Sequence, residues 1–158
     1  MRVAVAYDHR GRRGADHVRA ALEGHGDEWV DLGARGETVC DCPDFAYVAA
    51  TAVVRGEVDI AILLCTTGVG MSMAANKIRG VRAARCCDEM DAHVARVHFN
   101  ANVLCLSGEM LGENLIKRIV KTWLETEYEG HGRSERLIRE IEAIEQGQDP
   151  RQLAHVHK

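Results

Sequence analysis

With 158 residues, 46% hydrophobic and 28% charged, the chain has the balance of one globular domain with a sizeable core, which excludes disorder. A net charge of −4 gives no electrostatic ground for a nucleic acid partner, and no apolar run approaches the roughly 20 residues of a membrane span. The start, MRVAVAYDHR, lacks a signal-peptide pattern, so the expected location is cytoplasmic, with no membrane partner.

The first predicted element is a strand, RVAVAY (Arg2 to Tyr7), followed by the loop residues DHRGRRG. Ala15, Val18, Ala21 and Leu22 then recur at helical spacing up to the glycines at 24 and 26. Trp29 to Leu32 reads as a second strand closed by Gly33. After the loop ARGETVCDCPD, Pro43 suits a first helical turn, and Phe45, Val48, Ala49, Ala52 and Val53 make one apolar helical face. VDIAILLC (Val58 to Cys65) is nearly continuous in hydrophobicity, as a central strand covered on both faces must be. A helix from about Gly70 to Ile78, a strand Val81 to Cys87, a helix Asp91 to Val97 and a strand Asn102 to Leu106 follow. A helix Leu111 to Glu125 carries a broad stripe of Leu111, Leu115, Ile116, Ile119, Trp123 and Leu124. A last helix, about Glu135 to Gln146, precedes the polar tail QGQDPRQLAHVHK, which is expected to fray.

Strands alternating with helices predict a three-layer, doubly wound α/β fold: about five parallel strands in a Rossmann-like sheet, with an extra C-terminal helix. One domain over residues 1–147 and a tail over 148–158 are expected. In such sheets ligands bind beyond the carboxyl ends of the strands. Asp8 and His9 follow the first strand, Cys65, Thr66 and Thr67 the central one, and Cys87 and Asp88 the fourth. His98, Asn100 and Asn102 stand just before the fifth, and all of these are expected to converge on one edge, a set suited to proton transfer on a small polar substrate.

Small residues in TTGVG let backbone N–H groups crowd together ahead of a helix, an arrangement that favours an anion or a developing oxyanion. The loop is neither GxGxxG nor a P-loop, and the first strand lacks GxGxxG, which argues against a dinucleotide. On residues alone Cys65 reads either as a core thiol before a tight turn or as a group aimed at a ligand. None of the six cysteines forms a CxxC pair, so reduced thiols and no metal are expected, with Cys40, Cys42, Cys86, Cys87 and Cys105 as packing residues. The tail's His155 and His157 are read as a mobile terminus, and Asn76 and Lys77 as holding helix and loop in place.

In order and at family spacing, YDHRG, DLG (Asp31 to Gly33), DCPDFA, GEVDIAILLCTTGVGMSMAANKIRGVRAA, HFNANVLCLSGEMLG, WLETEYEGHGR and IEAIE resemble the ribose-5-phosphate isomerase B family, which includes the galactose-6-phosphate isomerase subunits. The resemblance implies an aldose–ketose isomerase that works through a cis-enediol without cofactor or metal. It makes Cys65 the proton-transfer base, because Gly70, Met71 and Ser72 occupy the place where a second branch carries a glutamate. It assigns Thr67, with the amides of Thr66, Gly68 and Gly70, to the enediolate oxygen, Asp8 and His98 to ring opening, and His9 to substrate or phosphate. Asn100, Arg133 and Arg136 are further substrate contacts by the same resemblance. It also implies a homodimer or dimer of dimers, with His98 reaching into the neighbouring subunit's site.

Four departures bear on the sugar. Thr66 replaces a glycine, Phe99 follows His98 where an asparagine is usual, and Glu109 stands where an arginine commonly meets the phosphate. The pattern RHxxR becomes Arg133-Ser134-Glu135-Arg136. The proton-transfer residues match and the recognition residues do not: the expected activity is isomerisation of a small sugar phosphate of the ribose 5-phosphate type, with a different sugar (tetrose, hexose or one without phosphate) as the alternative that these departures raise. A silent sugar-phosphate-binding subunit is the competing reading, opposed by the retention of Cys65, Asp8, His9 and His98 together.

Overall fold

The computed structural model describes residues 1–36 and 38–153. Five parallel strands, β1 (Arg2–Tyr7), β2 (Glu28–Asp31), β3 (Ile60–Cys65), β4 (Ala83–Arg85) and β5 (Val103–Ser107), form one sheet in the order β2-β1-β3-β5-β4. The central position of β3 follows from its composition: all six of its residues are buried. A strand without a polar face needs helices on both sides.

Those helices are α1 (Arg12–His25), α2 (Cys42–Val54), α3 (Val69–Ala75), α4 (Glu89–Val97), α5 (Glu113–Glu125) and α6 (Gly132–Glu145). Strand side chains alternate between faces, so β3 divides its residues. Ile60, Ile62 and Leu64 join Val3, Val5, Leu22, Leu104, Ile116, Ile119 and Trp123 in the larger core beneath α1, α4 and α5. Ala61, Leu63 and Cys65 face the other way, into a core built largely of alanine: Ala4, Ala6, Ala46, Ala49, Ala50, Ala52 and Ala75. Small side chains there let α2 and α3 lie close to the sheet.

Several boundaries differ from the sequence reading, each for a local reason. Helix α1 starts at Arg12, before the first apolar repeat, because its N-cap is Gly11, which offers no side-chain cap to read. Strand β4 is three residues long, not seven, since it is an edge strand paired only with β5. Helix α6 begins at Gly132, after an extended His131 without a side-chain cap bond. In the tail, Pro150–Gln152 closes a 3-10 turn capped by the Asp149 carboxylate, which accepts from Arg151 N; a frayed segment was expected there. His155 and His157 lie outside the described residues. No described helix is long and apolar enough to cross a membrane.

Candidate active site

Strand register brings the first two functional groups together. Tyr7 pairs with Leu64, and Cys65 pairs with Ser107, so Asp8, one residue past Tyr7, stands level with Cys65 at the carboxyl edge. Both are buried, with Cys65 5% and Asp8 7% exposed. Cys65 lies on the alanine-rich face, where α2 begins, and this places Cys42 beside it. One potential ligand atom from each of Asp8, Cys42 and Cys65 lies within 4.8 Å of the others.

The Cys65 sulfur accepts a hydrogen bond from the Gly68 amide at 3.2 Å. Gly68 has φ +78°, and an added Cβ would sit 3.0 Å from the Leu106 carbonyl, so only glycine turns its N–H back on the thiol without strain. Asp8 Oδ1 accepts from the amides of Arg10 and Gly11, both at 2.9 Å. The two bonds fix the direction of the carboxylate. Thr67 is held at both ends: its Oγ1 accepts from Val69 N at 3.3 Å and its carbonyl from Arg85 Nε at 2.7 Å. The Thr66 carbonyl accepts from Ser107 Oγ at 2.5 Å, while Ser107 Oγ accepts from Met110 N at 2.8 Å. Asn100 is the only non-glycine residue with positive φ among the described residues, so Thr66 fits the loop without left-handed backbone. An added Cβ on Gly70, in the first turn of α3, would meet Cys42 Sγ at 2.6 Å, so a glycine there lets the start of α2 come close.

A groove of about 1030 Å³ opens next to these groups, between the starts of α1 and α5. It begins at His9 and Gly108, one residue past Asp8 and Ser107, and is lined by Arg10, Arg12, Arg13 and His17. Glu109 lines it too, and its carboxylate pairs with Arg10 Nη1 at 3.3 Å. Both side chains are about half exposed, so the pair itself adds only about 0.2–1 kcal/mol. Arg12 is committed elsewhere, donating to the carbonyls of Ala34 and Gly36. His9 Nδ1 accepts weakly from Cys40 N at 3.4 Å.

His98 and Asn100 do not join this edge within one chain. The expectation that they would is corrected by the topology: α4 leaves the carboxyl end of β4 and runs back, so its C-terminal residues sit at the amino ends of the strands. There His98 Nδ1 meets Ser134 Oγ at 3.0 Å and lies 3.3 Å from Glu129, whose carboxylate also accepts from Ser134 Oγ at 2.6 Å. Asn100, with φ +42°, turns its carbonyl to Arg82 Nε. Asn102, grouped with them in the sequence, binds Arg82 N and Gly80 O at the same end. Arg133 and Arg136 belong to the first turns of α6 beside this cluster; Arg136 faces Glu140 at 3.7 Å. Phe99 lines a small depression there with Ile141 of α6.

Among the other thiols, burial pushes Cys86 up to about 12 and Cys105 well above the ordinary thiol range, as packing residues require. Cys42 does not belong with them. Burial, reinforced by the adjoining Cys65 and Asp8, pushes its thiol up to about 11, and it sits at the site. Sequence reasoning passed over it, although it follows β2 and so belongs to the same carboxyl edge. Arg10 and Arg13 were overlooked for a similar reason, hidden in a run that reads as a solvated loop. Asn76 performs the holding role expected of it, exchanging two 2.8 Å bonds with the backbone of Ala83.

Comparison with known proteins agrees with this geometry. A family model described as Ribose/Galactose Isomerase matches residues 3–141. The ribose-5-phosphate isomerase B of Escherichia coli (strain K12) is 41% identical over 145 residues, 92% of this chain and 97% of that protein. A D-erythrulose-4-phosphate isomerase of Pectobacterium atrosepticum is 46% identical over 90 residues, 57% of this chain and 59% of that one. The solved structure of Clostridium thermocellum ribose-5-phosphate isomerase B superposes with a TM-score of 0.89 at 37% identity, covering 93% of this chain and 99% of that one.

Proposed function

The chain belongs to the ribose/galactose isomerase family of sugar phosphate isomerases, and from that premise we propose that it interconverts the aldose and ketose forms of a small sugar phosphate with Cys65 as the base. The Cys65 thiolate removes the proton from the carbon next to the carbonyl, giving a cis-enediolate, and returns it to the former carbonyl carbon. A proton moves between the two oxygens in the same sense, from the hydroxyl to the former carbonyl oxygen, so nothing is gained or lost overall. The observation that carries this reading is the placement of Cys65: a buried sulfur at the carboxyl end of the central strand, bonded to the Gly68 amide and level with Asp8. In this reading Asp8, with His98, opens the ring, and Thr67 with the loop amides of Thr66, Gly68 and Gly70 stabilises the enediolate oxygen.

The remoteness of His98 supports a shared site. A second copy supplies His98, Asn100, Arg133 and Arg136 to the edge that holds Cys65, as a homodimer or a dimer of dimers. Exposed apolar side chains on the helices flanking the Cys65 loop, Tyr47 of α2 and Met73 of α3, suit such packing. Co-expressing Cys65→Ala with His98→Ala tests this. Half of the randomly formed dimers carry one intact site, so the mixture recovers roughly a quarter of wild-type activity. Activity no higher than that of either variant alone overturns the shared site.

The groove argues for a changed sugar. The phosphate goes to His9, Arg10 and Arg13, with Glu109 orienting Arg10 from the position where an opposing charge is usual. A four-carbon sugar phosphate is the first to test, since one relative is named for such a substrate. In a panel of tetrose, pentose and hexose phosphates, kcat/KM is expected to be highest for a substrate other than ribose 5-phosphate. A wide margin in favour of ribose 5-phosphate sinks the idea. Arg10→Ala should raise KM about 10- to 100-fold with kcat little changed, the pattern of lost uniform binding to a charged group remote from the reacting carbons.

A further inference from the structure

We propose that Asp8, Cys42 and Cys65 form a binding site for a thiophilic divalent cation such as Zn²⁺, which holds the isomerase in an inactive state. Three elements contribute: the end of β1, the start of α2 and the end of β3, each buried against the alanine-rich core. Their ligand atoms lie within 4.8 Å of one another. A tetrahedral zinc with sulfur at about 2.3 Å needs ligand atoms roughly 3.8 Å apart, so shifts of an ångström or less complete the triangle.

The surroundings suit a cation. Among the described residues, Asp8 pairs with no lysine, arginine or histidine; its Oδ1 is steadied by two amides. Two sulfurs and one carboxylate oxygen favour zinc, cadmium or cobalt over magnesium or calcium, whose preferred donors are all oxygen. The fourth tetrahedral position remains for water or a substrate oxygen. Binding is balanced by proton release: two thiols give two protons to the solvent as the thiolates take the metal. Inhibition follows from the proposed role of Cys65, because a sulfur lone pair committed to the metal cannot accept a proton from carbon. The site itself rests only on the geometry, and its test does not need turnover.

Cobalt(II) added anaerobically to the fully reduced chain is the probe. One equivalent should produce the near-ultraviolet thiolate-to-cobalt band and the visible bands of a tetrahedral ion. Cys42→Ala, Cys42→Ser and Cys65→Ala should each lose or halve the thiolate band, whereas Cys40→Ala and Cys87→Ala should keep it. Zn²⁺ should displace the cobalt, and Mg²⁺ should not. No thiolate band, or one that keeps its full intensity in a folded Cys42→Ser chain, overturns the site. In parallel, Zn²⁺ should slow each variant relative to its own metal-free rate only when Cys42 and Cys65 are both present. If Cys65 proves not to be the base, the band persists without the inhibition, which separates failure of the functional reading from failure of the site.

Discussion

Cys65→Ala is expected to lower kcat by roughly 10²- to 10⁴-fold, the range carried by a positioned general base, while the fold survives. The cavity is small because only a sulfur is removed, and the Gly68 amide loses one partner. Cys65→Ser is the sharper version. It keeps the hydrogen bond from Gly68 but replaces a thiol with a hydroxyl of far higher pKa, so it should be almost as inactive as the alanine variant. Each substrate is assayed at saturation, with circular dichroism confirming the fold. Full activity in either variant means that another group moves the proton. Asp8 would then be the first candidate, since it stands level with Cys65 at the same edge.

Gly11→Ala is expected to cost about 1–3 kcal/mol or more, lowering Tm by roughly 3–10 °C, and to reduce activity as well. The added Cβ would lie 2.3 Å from the Leu64 carbonyl oxygen and 2.9 Å from Tyr7 Cβ. Neither neighbour is the movable end of a flexible side chain, so the loop itself must shift. Gly108 is packed against the same point, and its own added Cβ would fall 2.8 Å from Gly11 Cα. Gly11 N also donates to Asp8 Oδ1, so moving this loop tilts the carboxylate. Thermal unfolding and kcat measured on the same sample check both effects. A variant with wild-type Tm would show that the strand ends are slacker than the close approach implies. Gly24→Ala is the control, because an added Cβ there meets nothing within 4 Å.

The sheet was legible from the sequence wherever burial left a pattern. The unbroken apolar run in Ile60–Cys65 marks a strand covered on both sides, and the stripe that ends in Trp123 and Leu124 marks α5. Helix starts capped by glycine carry no side-chain signal: α1 begins at Arg12, three residues before the first apolar repeat at Ala15, although α3 begins within one residue of its expected start. The sequence named groups that the fold places at both ends of the sheet, but not how they are distributed between those ends. His98 stands just before a strand, and in a parallel sheet that is the opposite edge from a residue just after one. The family resemblance supplied the second copy; spacing alone would have drawn His98 to the wrong place. Cys42 was missed because a cysteine in a loop has no periodicity, and only the close seating of α2 shows what it touches.

That seating rests on alanines, and alanine has no side-chain rotamers to lose on folding or to change afterwards. On the Leu-, Ile- and Trp-rich face, a substitution can be absorbed by neighbouring side chains turning to new positions. On the face that carries Cys42 and Cys65, the alanines of α2 offer nothing to turn, so where they meet the sheet an added methyl group is taken up by movement of the α2 backbone. The spacing between those two sulfurs is therefore set by main-chain packing, and enlargements far along α2, at Ala49 or Ala52, will be felt at its first turn.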